Sequence, residues 1–124
     1  MSRLSELKQK LADEKAVVLE LAAQAQRTTG GETQRLLRKR EQVILSAQTT
    51  QNKIDEVLHR IVYLQVARTR AQENLVAIER NIKASGDVDS TRAGGLDRGR
   101  ATLQHEIAGI LRELVILDAS ESPA

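Results

Sequence analysis

The fold is decided by residues 32–84, which read ETQRLLRKREQVILSAQTTQNKIDEVLHRIVYLQVARTRAQENLVAIERNIKA and contain neither proline nor glycine. Apolar residues recur there at alternating steps of three and four, the spacing of a helix face that packs against other helices. The positions in register are Leu36, Val43, Ala47, Ile54, Val57, Ile61, Leu64, Ala71, Leu75, Ile78 and Ile82. A neighbouring row adds Leu37, Ile44 and Leu58, so we predict one long helix that touches more than one neighbour.

Two shorter helices are predicted on either side of this segment, over about residues 2–29 and 96–118. Their heptad positions are Leu4, Leu7, Leu11, Val18, Leu21 and Ala25 in the first, and Leu96, Leu103, Ile107, Ile110, Leu114 and Leu117 in the last. Gly30 and Gly31 predict a tight reversal, and the polar, glycine-containing stretch 85–95 predicts a mobile loop. Residues 119–124 are expected to be a disordered tail.

The helix lengths suggest how the three helices are arranged. At about 1.5 Å per residue they span roughly 42, 80 and 35 Å, so the two short helices together match the long one. We therefore predict an all-α fold, an elongated antiparallel coiled coil or bundle of three helices forming one domain over residues 1–118. The alternative is a compact three-helix bundle in which both short helices flank the same half of the long helix.

The apolar residues are nearly all aliphatic, since the chain has no Phe, no Trp and only Tyr63. Such residues suffice for narrow helix seams but supply little of the bulk of a rounded core. Around residues 16–23 and 114–117 the helices are apolar almost all the way round, which predicts self-association, most simply as an antiparallel dimer with four-helix cross-sections. The residues assigned to self-association are Val17, Val18, Leu19, Leu21, Leu111, Leu114, Val115, Ile116 and Leu117.

Charged residues occupy four seam positions, Glu14, Arg40, Arg68 and Arg100. Burying a charge is costly unless it is paired, and such residues commonly fix the register of a coiled coil. If Glu14 met an Arg of the second helix, the pair would specify one alignment.

The densest basic group consists of Arg27, Arg35, Arg38, Lys39 and Arg40, in a chain whose net charge is only +2. This group is a possible contact for an anion, a nucleic acid or an acidic partner protein. Glu32 and Glu41 flank it, and no aromatic residue is interleaved to stack on bases, so nucleic-acid binding is not favoured.

No pattern in the sequence predicts a catalytic site, a metal site or a cofactor. The chain has no cysteine, and His59 and His105 are expected on the outer helix faces. In the stretch Asp87 to Arg98 the sixth and twelfth positions hold Arg92 and Arg98, where a calcium loop requires a glycine and a bidentate glutamate. No run approaches the ~20 apolar residues of a membrane span, so we expect a cytoplasmic protein.

These observations favour a non-enzymatic interaction protein that self-associates and binds a protein partner through its helical faces, as an adaptor, assembly factor or structural component. The alternative is a nucleic-acid-associated accessory factor that uses the basic Arg35 to Arg40 region. An enzyme is third, because catalysis needs a concave site with convergent polar groups.

Overall fold

The computed structural model describes residues 2–85 and 90–118 of the chain, with the side chains of 85 and 90–93 excepted. Within these ranges the protein consists of three helices, α1 (Arg3–Gln26), α2 (Gly31–Ser85) and α3 (Ser90–Leu117). The all-α fold with a long central helix is confirmed. The predicted tail, 119–124, lies outside the described residues.

Helix α1 begins and ends through local hydrogen bonds. Ser2 is its N-cap, with the Ser2 hydroxyl accepting from the backbone N–H of Ser5 at 3.1 Å, which satisfies one of the free donors of the first turn. At the other end the Thr28 hydroxyl donates to the carbonyl of Ala25 at 3.2 Å. Gly30 has a φ of +66°, a conformation that favours glycine, and it reverses the chain into α2. The predicted tight reversal is therefore present.

The chain divides into two compact units, Met1–His59 and Arg60–Ala124. We call the first the first hairpin, formed by α1 and residues 31–59 of α2, and the second the second hairpin, formed by residues 60–85 and α3. Each short helix thus packs on its own half of α2, as the helix lengths predicted.

The first hairpin is antiparallel. Leu21 and Ala25, late in α1, pack with Leu36, early in α2. Glu14, in the middle of α1, reaches Ser46 and Thr50 further along α2. The buried apolar residues of this seam are Leu4, Leu7, Leu21, Ala25, Leu36 and Ile54, all of them at predicted heptad positions.

The second hairpin is also antiparallel. Arg60, early in its α2 segment, bonds Glu113 near the end of α3, and Gly99, early in α3, lies against Ile78 near the end of α2. A Cβ placed on Gly99 would lie 3.3 Å from the Ile78 side chain, so the backbones approach closely there. Its buried apolar residues are Ile61, Leu64, Ala71, Ile110 and Leu114, again at predicted heptad positions.

The loop prediction over 85–95 was wrong for residues 90–95, which form the first turns of α3 instead. The predicted start of this helix at Leu96 was six residues late. Two glycines cost about 1 kcal/mol each in a helix, but packing of the following residues against α2 outweighs that propensity. Residues 86–89, the rest of the predicted loop, lie outside the described residues.

Candidate interaction surfaces

The residues assigned to self-association do not form one surface. Leu21 and Leu114 are buried in the two seams, and Leu114 is 0% exposed, so both serve the intrachain packing. Val17, Leu19 and Ile116 are exposed, and Leu19 is 73% exposed although it is among the most apolar residues of the chain. The remaining four, Val18, Leu111, Val115 and Leu117, are half-buried. The assignment of Leu21 and Leu114 to a surface was therefore wrong, because a helix that is apolar all round must still place one side in its own seam.

One side of the first hairpin is apolar. An open groove of about 390 Å³ runs between α1 and α2 and is lined by Lys15, Val18, Leu19, Ile44 and Ala47. Ile44 is 42% exposed. Leu37 is exposed seven residues before Ile44, and that spacing places it on the same side of α2. We call this the apolar side of the first hairpin.

The opposite side of the first hairpin carries charged and amide side chains around a second groove. This groove is lined by Lys10, Asp13, Glu14, Val17, Gln42, Val43 and Ser46. Val17 therefore lies among charged and amide side chains, not beside Leu19. The two sides differ in their exposed apolar residues, which are Leu19 and Ile44 on the apolar side and Val17 in the opposite groove.

Glu14, the charged residue in the seam of the first hairpin, is hydrogen-bonded by hydroxyl groups. The Glu14 carboxylate accepts hydrogen bonds from the hydroxyls of Ser46 and Thr50, the latter at 2.6 Å. Thr50 is buried, and its hydroxyl oxygen also lies 3.1 Å from the carbonyl oxygen of Ser46. Hydrogen bonds from Ser46 and then Thr50 lower the pKa of Glu14 below its usual value, and nearby Lys10 and Lys53 act in the same direction, while burial opposes them.

Two hydroxyl donors, not an arginine, occupy the positions of α2 that face Glu14. The other charged seam residues have different surroundings. Arg40 is half-buried, and its buried Nε has no hydrogen-bond partner. Arg100 pairs with Asp97 of its own helix at 3.0 Å.

The second hairpin carries the single aromatic side chain on its surface. Tyr63 is 62% exposed, and the guanidinium of Arg60 lies 5.1 Å from the centre of its ring. Arg60 also donates two hydrogen bonds to Glu113, at 2.9 and 3.1 Å, and this bonding raises the pKa of Arg60. A groove of about 400 Å³ lies beside this cluster, lined by Tyr63, Val66, Ala67, Arg70, Ala71, Asn74, Leu103 and Glu106.

The basic residues near the start of α2 differ in their exposure and their pairing. Arg35 pairs with Glu32 at 2.7 Å, and Arg40 is half-buried at its seam position. Arg27, Arg38 and Lys39 remain exposed. A shallow groove near the turn is lined by Gly31, Gln34, Arg35, Arg38, Lys39 and Gln42. The number of free cations at this end is therefore smaller than the sequence indicated.

Both histidines are exposed, as predicted for the outer helix faces. Across residues 2–85 and 90–118, no cluster of three or more His, Cys, Asp or Glu side chains is arranged to hold a metal ion. In the same part of the chain no helix has a stretch both long and apolar enough to cross a membrane.

The sequence reasoning missed Lys15, Ile44 and Ala47 as lining residues of the apolar side. The row Leu37, Ile44 and Leu58 was a visible signal, since seven-residue spacing beside the seam marks a second apolar face. In comparisons with known proteins, no family model, no curated protein and no solved structure matches this chain.

Proposed function

We propose that this protein is a non-enzymatic helical interaction module that self-associates through the apolar side of its first hairpin and binds a protein partner through its second. The observation that carries this proposal is the exposure of Leu19 and Ile44 on one side of a two-helix layer. Stable domains bury their apolar faces between packed layers of helices or sheets. A single layer with an open apolar side lacks the second layer that such a fold needs.

Self-association supplies that second layer most simply. Two copies of the first hairpin packed side against side form a four-helix cross-section, with Leu19 and Ile44 in its core. Complete burial of an exposed leucine or isoleucine side chain stabilises by about 1.5–3 kcal/mol. The part still available to the dimer is set by the exposed fractions, 73% for Leu19 and 42% for Ile44, and it is gained in both copies. A closed two-fold dimer is also the commonest arrangement of soluble oligomers.

The second hairpin suits a different partner. Its exposed Tyr63 stacks with Arg60, and Tyr and Arg are among the residue types that dominate binding energy at protein interfaces. Arg70 and Glu106 line the same groove, together with apolar Val66 and Leu103, so a matching surface would combine an apolar ridge with charged edges. This composition favours a protein partner over a small molecule.

The test of the proposal is a comparison of two adjacent substitutions on α2. Ile44→Glu places a carboxylate in the proposed interface of both copies, which we expect to weaken the dimer at least a hundredfold. Leu45→Glu is the matched control, because Leu45 is 64% exposed yet is not among the residues that line the apolar groove. Its dimer dissociation constant should stay within about threefold of the unmodified protein.

Sedimentation equilibrium measures both constants, and circular dichroism checks that helix content is unchanged. Equal effects of the two substitutions would show that the apolar side is not the interface. A further substitution, Tyr63→Ala, should leave the dimer intact, because Tyr63 lies in the second hairpin. Loss of the dimer in Tyr63→Ala would contradict the assignment of separate surfaces.

The nucleic-acid alternative receives less support. Of the five basic residues, Arg35 is paired and Arg40 is turned toward the seam, which leaves Arg27, Arg38 and Lys39 exposed. Three cations without an aromatic platform give weak, salt-sensitive binding at best.

A further inference from the structure

The apolar side of the first hairpin carries opposite charges on its two edges. Lys15 lines the groove on the α1 edge, and Lys8 lies seven residues earlier, on the same face of that helix. On the α2 edge, Asp55 lies eleven residues after the groove residue Ile44, which is almost exactly three turns of an α-helix. The α1 edge is therefore basic, whereas the α2 edge carries an acid.

Lys8 and Asp55 lie at the same level of the hairpin. Glu14 bonds Thr50, which fixes the level of α1 against α2. Lys8 is six residues before Glu14 and Asp55 is five residues after Thr50, and in an antiparallel pair these steps run in the same direction along the hairpin. Both side chains are exposed, and Asp55 accepts a hydrogen bond at 3.1 Å from the neutral Gln51 of its own helix.

We propose that the occupant of the apolar side is a second copy of this chain, related by a two-fold axis that runs along the hairpin. This inference rests on the proposed self-association and specifies its geometry. The rotation places α1 of each copy over α2 of its partner. Leu19 then meets the partner's Ile44 at the centre, and Lys8 meets the partner's Asp55 toward the end, twice in each dimer.

Charge complementarity selects this axis. A two-fold axis across the helices would place α1 over the partner's α1 instead. Lys15 lies at the midpoint of α1 (Arg3–Gln26), so full overlap of the two helices would set it against the same lysine of the partner. Like charges that face each other are unfavourable, whereas the axis along the hairpin pairs cation with anion and opposes no like charges.

The same charge pattern favours a second copy of this chain as the partner rather than an unrelated helix. A partner of other sequence would need an acidic edge opposite Lys8 and a basic edge opposite Asp55. This hairpin itself has both edges at the required levels. A self-complementary patch is the defining property of a two-fold interface.

Disulfide cross-linking of the full chain tests the geometry, and the lack of cysteine in the sequence makes each engineered thiol unique. We would prepare Lys8→Cys and Asp55→Cys as separate proteins, oxidise each alone, and oxidise an equimolar mixture. The mixture should yield a cross-linked pair containing one of each protein, at least tenfold faster than either protein cross-links to itself. Both substitutions are at exposed positions and leave the seam intact.

Charge reversal gives an independent measurement. Lys8→Glu alone should weaken the dimer about tenfold, because two like-charged contacts replace two favourable ones. Adding Asp55→Lys to the same chain should restore the original dissociation constant to within about threefold. The pair of exposed charges Lys10 and Asp13, which line the groove on the opposite side of the hairpin, is reversed together as the control and should leave the dissociation constant unchanged.

The outcomes separate the geometry from self-association itself. Sedimentation of the same samples shows whether a dimer is present. A dimer in which Lys8→Cys cross-links fastest to itself, or in which Asp55→Lys fails to rescue Lys8→Glu, overturns the proposed axis while self-association stands. A chain that stays monomeric at all concentrations overturns both.

Discussion

Replacing Leu114 by alanine tests whether this residue belongs to the seam of the second hairpin or to one of its exposed surfaces. Leu114 is 0% exposed, whereas Ile116, two residues later on the same helix, is 66% exposed. Truncating Leu114 removes three carbon groups from a site shielded from water, worth about 2.4 kcal/mol at 0.8 kcal/mol per group. The cavity left behind adds to this, so we expect a loss of about 3 kcal/mol in the free energy of unfolding.

Ile116→Ala is the matched control. Because most of the Ile116 side chain is already in water, its truncation should cost less than about 1 kcal/mol. Urea unfolding followed by circular dichroism measures both values at several protein concentrations. In thermal unfolding the Leu114→Ala difference corresponds to a lower Tm by roughly 10 °C.

The concentration series is the decisive part of this experiment. A seam residue destabilises by the same amount whatever the concentration, whereas a residue of a dimer interface has an effect that depends on it. Leu114→Ala and Ile116→Ala effects within 0.5 kcal/mol of each other would refute the placement of Leu114 in the seam. So would a Leu114→Ala effect that disappears at low concentration.

Three further predictions concern helix propensity, pH and charge. Gly109→Ala should stabilise α3 by about 0.5–1 kcal/mol, because no atom of the described residues lies within 4 Å of the added Cβ. Gly99→Ala should stabilise it less, since that Cβ would lie 3.3 Å from Ile78. Urea unfolding distinguishes the two. The pKa of Glu14 is lower in the folded chain than its usual value of 4.5, so its contribution to stability is complete above 4.5 and is lost as pH falls through the lower folded value. Glu14→Gln should therefore flatten the acid side of the stability profile, measured by urea unfolding at several pH values. Replacing Arg38 and Lys39 together by Gln should leave self-association unchanged, and if duplex or single-stranded nucleic acid binds at all, measured by fluorescence anisotropy in low salt, this double substitution should abolish the binding.

The sequence predicted the seams well, because their periodicity follows from helix geometry. Leu36, Ile54, Ile61 and Leu64 are buried as the heptad row requires, and Thr50, which interrupts that row, is buried as well. The pattern could not identify the partner of Glu14. Two hydroxyls one turn apart on the facing helix satisfy a carboxylate as fully as an arginine does, and sequence spacing does not rank them.

The surfaces were harder to predict than the seams. Leu19 and Leu21 both belong to a segment that is apolar all round, yet one is 73% exposed and the other buried. The heptad row includes Leu21 and leaves out Leu19, so the spacing separates the two residues although the composition of the segment does not. The start of α3 was predicted too late because Gly94 and Gly95 indicate a break locally, whereas packing against α2 sustains the helix.

Sedimentation equilibrium of the unmodified protein from nanomolar to micromolar concentration tests whether a second copy of the chain covers the apolar side of the first hairpin. We expect the mass to rise to twice the 13.7 kDa of one chain. Ile44→Glu should shift this transition to higher concentration, whereas Leu45→Glu should not. A mass of one chain across the whole range would contradict this expectation.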